Sequence, residues 1–356
     1  MPDQAELDTR LDRGTKPPQT GAAVRLRRGI TRGFSSLHVR NYRLFIFGQV
    51  ISVTGTWMQT TAQAWLVLQL TQSPFDVGLI STLQFLPVTI FALFGGVIAD
   101  RVPKRSAIVV TQSAAMLQAL VFGILVATGG IRLWHVYLLA LIQGLITAID
   151  NPVRQSFVVE MVGREDLVNA VSLNSMTFNL ARIVGPALTG IVIAQIGIAP
   201  ALFANAISFV PVIGALLMMN PQALFARTFT AARGSVLHQV REGLNYTWRT
   251  PAVLTIMIVA GAIGTFGFNF TVIVPLLGGF VLHTDAQNFG ALFSFLGLGS
   301  VVAAASTAYF SRVTTRRLLA SAFAFSLAFA ALSLSTNLTL SSILVIPLGF
   351  FGIMFA

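Results

Sequence analysis

Cysteine is absent from this chain, which excludes disulfide bridges and thiolate metal centres together. Histidine occurs four times, never at the spacing of a helical zinc motif, so no metal and no cofactor is expected. Charge is scarce as well: 10% of the residues are Asp, Glu, Lys or Arg, against ~25% in an ordinary soluble domain. No glycine-rich loop ending in Lys and Ser or Thr is present, so ATP is not the expected energy source. No short apolar core followed by a small-residue cleavage site opens the chain, and no cleavable leader is expected. Finally, no nucleophile–base pair falls within an apolar run, so the chain is not expected to be an enzyme.

What the chain has instead is apolar length. Hydrophobic residues make up 55% of it, and the mean hydropathy is +0.78. Ten runs approach the ~20 residues that cross ~30 Å of hydrocarbon as a helix. They are Tyr42 to Leu70, Val77 to Ile98, Ser106 to Thr128, Leu133 to Ile149, Leu173 to Ile196, Ala199 to Met219, Ala252 to Leu277, Phe289 to Phe310, Leu318 to Leu334 and Leu338 to Ala356. An all-α polytopic membrane protein follows. With the N-terminus cytoplasmic, 21 of the 23 basic residues lie on that side, in the tail, in the loops or, for Arg43, at the very start of the first run; Arg132 and Arg182 are the other two. The positive-inside rule supports that orientation. The same basic residues, split among short loops, face an anionic cytoplasmic leaflet rather than a nucleic acid, which is not an expected partner.

Gly78 with Asp100 to Arg105 after the second run is echoed by Gly290 with Ser311 to Arg317 after the eighth. Six spans separate the two copies, the plan of a fold built from two parallel six-helix halves. Residues 1–41 read as a disordered basic cytoplasmic tail, 42–219 as a six-helix bundle, 220–251 as a cytoplasmic linker, and 252–356 as a second bundle of four spans. Within the linker Val236, Val240, Leu244 and Trp248 recur at helical spacing opposite polar residues, as on an amphipathic surface helix.

Gly96-Val97-Ile98-Ala99-Asp100-Arg101-Val102-Pro103-Lys104-Arg105 resembles the loop signature between helices 2 and 3 of the major facilitator superfamily, with Pro103 where that signature usually has glycine. Gly55 to Gln59, Asp150 to Gln155 and Asn179 to Pro186 resemble the transmembrane secretion effector branch, which contains the enterobactin exporter and macrolide efflux proteins. The resemblance covers residues 40 to 356. It implies a twelve-helix fold, so with ten spans seen the second bundle is expected to be incomplete at Ala356. It also implies a monomeric exporter of the bacterial inner membrane, working by alternating access on a small hydrophobic or siderophore-like molecule and driven by a proton or other ion gradient. Two alternatives stand beside it: movement of lysophospholipid or other lipid, and a short relative that binds or regulates without transporting.

Candidate site residues fall into four groups. Gly96, Asp100, Arg101, Lys104 and Arg105 form the signature loop, in which Asp100 has an Arg such as Arg154 as a gating partner; simple topogenic anchoring is the other reading. Arg182 stands alone deep in the fifth run, where a charge needs a partner or a wet cavity. It serves substrate or gating, or else clasps two helices, and no acid is identifiable as its partner. Asp150 is the candidate proton carrier, although it sits at a span end. Trp57, Gln59, Gln63, Gln84, Gln143 and Asn179 are candidates to line a cavity, with interhelical hydrogen bonding as the competing use of the amides. Gly185 and Pro186 are expected to kink the fifth span.

Overall fold

The structure, a computed structural model, describes residues 35–225, 245–267, 269–309 and 314–355, and within them all side chains but those of 92–101, 252 and 307–309. Every described element is helical. After a short 3-10 turn at Ser35–His38 come α1 (Arg40–Thr71), α2 (Pro74–Arg101), α3 (Lys104–Ala127), α4 (Leu133–Val162), α5 (Leu167–Ile196) and α6 (Ile198–Leu217). Then follow α7 (Pro251–Phe266), α8 (Phe270–Leu276) with a π-helical continuation over Leu277–Val281, α9 (Ala286–Tyr309), α10 (Thr315–Ser333) and α11 (Leu338–Phe355).

Boundaries follow local chemistry. Ser73 accepts a hydrogen bond from the Asp76 amide and Pro74 takes the first helical position of α2, the arrangement that suits a helix start. Gly163 and Gly197 end α4 and α5 at φ of 71° and 94°, where a side chain would clash with its own backbone.

Among the described residues nine helical segments are long and apolar enough to cross a membrane, with α7 and α8 counted as one. Of the ten expected runs, the first is the one left out of this set. Its helix, α1, has 32 residues but is diluted by polar side chains, and those are turned inward: Gln49, Ser52, Gln59, Thr61 and Gln63 are all buried. The fourth run is also longer than expected. It continues through Asp150-Asn151-Pro152-Val153-Arg154 to Val162, which moves Asp150 and Arg154 from a loop into the helix. The polar stretch that ends the hydropathy signal does not end the helix, because neighbouring side chains satisfy it.

Helix α1 packs along α5 and α6, α2 along α4, and α3 along α4 and α6. Helix α9 packs along α5 and α11, and α10 along α11. Glycines set the closest crossings. A Cβ on Gly190 would come within 2.9 Å of the Ala286 carbonyl oxygen, and one on Gly290 within 2.9 Å of the Gly190 Cα, so α5 and α9 meet backbone to backbone. Gly78, which echoes Gly290 in sequence, has nothing within 4 Å of where its Cβ would be. The apolar core is rich in aromatic rings, including Phe122, Phe270, Phe289, Phe293 and Phe325. The amphipathic pattern at Val236, Val240 and Leu244 lies outside the described residues, as does the tail before Ser35.

Candidate functional site

A cavity of about 320 Å³ opens between α1, α2, α3 and α4, closed at its edges by Phe178 of α5, Phe209 of α6 and Thr271 of α8. Helical spacing explains the contribution of α1: Ser52, Thr56 and Thr60 recur every fourth residue, and Val53 and Trp57 run beside them. The Thr56 and Thr60 hydroxyls donate to the Ser52 and Thr56 carbonyl oxygens, 2.9 and 3.0 Å away, so they turn acceptor lone pairs to the cavity. Gln84, Phe85, Gln143 and Thr147 complete a lining of uncharged polar groups interleaved with apolar ones.

One charged pair also lines it. Asp150 is buried, and its two oxygens are fully engaged. Oδ1 accepts from Thr111 Oγ1 at 2.6 Å and Gln112 Nε2 at 3.0 Å, while Oδ2 accepts from Arg154 Nε at 2.8 Å and also from Arg154 Nη2. Gln112 in turn accepts from Ser52 Oγ at 3.2 Å. Four donor contacts satisfy the carboxylate oxygens, and a carboxylate–guanidinium pair carries no net charge, which makes burial tolerable. Among the described residues the partner of Arg154 is Asp150, one helical turn away; the side chain of Asp100, its expected gating partner, lies outside them.

Of the expected cavity residues, Trp57, Gln84 and Gln143 line this space. Gln63 does not; it borders an adjoining void of about 20 Å³, room for one water, and accepts from Gln84 Nε2 at 3.3 Å. Gln59 is taken up between helices: it donates to Gln118 at 3.0 Å and accepts from Asn205 at 2.9 Å. Asn179 is half-buried, donates to the Ser175 carbonyl and is not among the lining residues; the adjacent Phe178 lines the cavity instead. Sequence reading missed Thr111, Phe178, Phe209 and Thr271. Thr271 lies at the start of α8, which begins at Phe270 after α7 has ended at Phe266; a continuous apolar run conceals these two ends, although Gly264, Gly267 and Asn269 mark them.

The signature loop is only partly described: the side chains of Asp100 and Arg101, and Gly96, lie outside the described residues. Lys104 is buried and ion-paired with Glu160, which ties the start of α3 to the end of α4. Arg105 donates to the Leu216 and Leu217 carbonyl oxygens at 2.6 and 2.9 Å, so its charge caps the C-terminal end of α6.

Arg182 sits at the midpoint of α5, because the helix starts at Leu167 rather than Leu173. Its guanidinium lies 5.7 Å from the centroid of the Trp57 ring and 5.3 Å from that of Phe270. Its Nε is buried with no hydrogen-bond partner among the described residues. A charge at such depth costs about 2.5–3.5 kcal/mol on insertion scales, and a ring face returns about 0.5–2 kcal/mol. Helix α5 runs unbroken through Pro186, which cannot donate to the Arg182 carbonyl. Gly185 packs on α1, with its missing Cβ 2.6 Å from the Trp57 Cβ.

The family model of transmembrane secretion effectors matches residues 31–354. Among similar proteins, the multidrug efflux pump Tap of Mycolicibacterium fortuitum is 26% identical over 280 residues, 77% of this chain and 68% of that protein. The staphyloferrin A transporter of Staphylococcus aureus is 21% identical over 73% of this chain and 65% of its own length. An enterobactin exporter of Citrobacter koseri is 22% identical over 74% and 62% respectively. The chain thus spans about two thirds of the length of these relatives. Among solved structures, a bacterial homologue of the human lysosomal transporter Spinster, in an inward-facing and unoccupied conformation, matches with a TM-score of 0.63 at 13% identity. That match covers 88% of this chain and 73% of the other, and at this identity it speaks to the fold alone.

Proposed function

The chain belongs to the transmembrane secretion effectors of the major facilitator superfamily, and from that premise we propose that it exports a small organic molecule, drug-like or siderophore-like, across the bacterial inner membrane. The observation that carries this reading is the cavity of about 320 Å³ at membrane depth, lined by uncharged amides, hydroxyls and aromatic rings around one buried ion pair. Such a lining suits an amphipathic guest: apolar walls take most of its surface and a few polar groups orient it. Residues 42–219 and 252–356 act as two bundles joined by 220–251, with the N-terminus inside, and the close α5–α9 crossing is the contact about which they rock. The named substrates of the relatives, a staphyloferrin and enterobactin among them, support the substrate class.

Asp150 is the proton site in this proposal. As a carboxylate it holds Arg154 and is held by Thr111 and Gln112. A proton on Asp150 removes the charge that pairs Arg154, so the guanidinium is freed at the cavity wall and the α3–α4 clamp loosens. Export follows if the protonated form favours inward opening and the ionised form outward opening, so that proton entry is exchanged for substrate exit.

The test uses inverted membrane vesicles from an efflux-deficient bacterial host that expresses the chain. The expected result is uptake of ethidium or of a ferric-chelator siderophore, driven by an imposed proton gradient. Asp150→Asn is expected to lower that uphill uptake at least tenfold while substrate exchange at equilibrium persists. Full uphill uptake by the variant removes Asp150 from coupling. Movement of a fluorescent lysophospholipid without any drug or siderophore uptake replaces the exporter reading with lipid transport.

A further inference from the structure

We propose that Arg182 is the cationic subsite of this cavity and selects substrates that carry a carboxylate. The proposal rests on the transport reading above and deepens it by naming the charge of the cargo.

Three placements converge on Arg182. Phe178, one helical turn before it on α5, lines the cavity, so the two residues share a face of the helix. Trp57, whose ring lies against the guanidinium, is a lining residue on α1. Phe270, the second ring, directly precedes the lining residue Thr271. The guanidinium therefore lies just behind the wall where α1, α5 and α8 meet, stored between two rings that a guest can displace.

Electrostatics then favours an anion. Asp150 and Arg154 cancel each other and are the two charged residues lining the cavity among the described residues. Arg182 adds a positive charge that no acid among the described residues pairs. Its Nε is a buried donor with no acceptor. The ring faces satisfy its charge in part and leave Nε without a strong acceptor, since a π face is a weak acceptor compared with an oxygen. A carboxylate supplies both the missing charge and the missing acceptors, bidentately, in the geometry a guanidinium fits. Rings and methyl groups around it, Phe85, Phe178 and Phe209 among them, accept the apolar remainder of the guest.

The experiment compares tritiated 2-naphthaleneacetate with its neutral primary amide, by equilibrium binding to the purified chain in lipid nanodiscs. The wild type is expected to hold the carboxylate at least tenfold tighter than the amide. Arg182→Gln should bring the carboxylate down to the affinity of the amide, with an unfolding temperature near that of the wild type reporting an intact fold. Arg182→Lys should keep part of the preference, because it keeps the charge but loses the fork. Equal affinity for the two probes in the wild type, no binding of the carboxylate, or a preference that survives Arg182→Gln overturns the proposal. Uphill ethidium uptake without a carboxylate preference leaves the export reading standing and sinks this one; the preference without uphill uptake of any probe does the reverse.

Discussion

Two arginines lie at membrane depth, and the protein treats them in opposite ways. Arg154 is matched to a carboxylate on its own helix, and that carboxylate is matched again by a threonine and a glutamine from α3. Arg182 has two aromatic rings and an unanswered Nε. Both adjoin one cavity. In the proposed cycle a proton opens the closed pair, whereas the open charge meets the anion of the cargo. The proposal thus separates where energy enters from where cargo is read.

The largest effect should come from breaking the closed pair. Asp150→Ala leaves the part-buried Arg154 charged without its partner, a change that costs up to about 3–5 kcal/mol where such pairs are fully buried. The expected result is a large fall in the unfolding temperature in nanodiscs and loss of uphill transport. The double variant Asp150→Ala with Arg154→Leu should regain most of the stability and none of the coupling. If the single variant is as stable as the wild type, the pair is not the closed unit described here.

A second comparison is between the two glycines that the sequence echo aligns. Gly290 abuts Pro186 and Gly190, whereas Gly78 faces open space. Gly290→Val is expected to cost about 1–3 kcal/mol by forcing α9 away from α5. Gly78→Val should lie within about 0.5 kcal/mol of wild type, as substitutions that touch nothing do. Equal losses in thermal stability at the two positions would show that the crossing does not depend on backbone contact.

How far these features were legible in sequence depends on what kind of signal each leaves. The helices and their order follow from apolar runs, because a membrane span must satisfy its own backbone and so advertises itself by composition. Asp150 and Trp57 stand out because a charge or a large amphipathic ring in such a run needs a reason. The helical placement of Arg154 was hidden, since the Asp150-Asn151-Pro152 step has the composition of a loop while its polar groups are satisfied by another helix. Phe178 and Asn179 show the same limit: adjacent residues differ by about 100° around the helix, and composition alone favoured the polar one of the two. Gln59 and Gln84 are both amides that bond across helices, to Gln118 and Asn205 and to Gln63, yet Gln84 also lines the cavity and Gln59 does not. Only packing distinguishes them.

The smallest effect expected sharpens that last distinction. Gln59 bridges α1, α3 and α6 through Gln118 and Asn205, well away from the charged pair. Interhelical hydrogen bonds of this kind average about 0.6 kcal/mol in a membrane, because the alternative states also find partners. Gln59→Leu is therefore expected to lower the unfolding temperature by only a few degrees and to leave uptake of ethidium and its apparent affinity unchanged. Gln84→Leu, which loses its bond to Gln63, should cost a similarly small amount of stability but shift the apparent affinity severalfold, since its side chain lines the cavity. A loss of affinity in the Gln59 variant that matches the Gln84 variant would place Gln59 in the cavity in the working protein. The two amides would then differ only in which conformation exposes them.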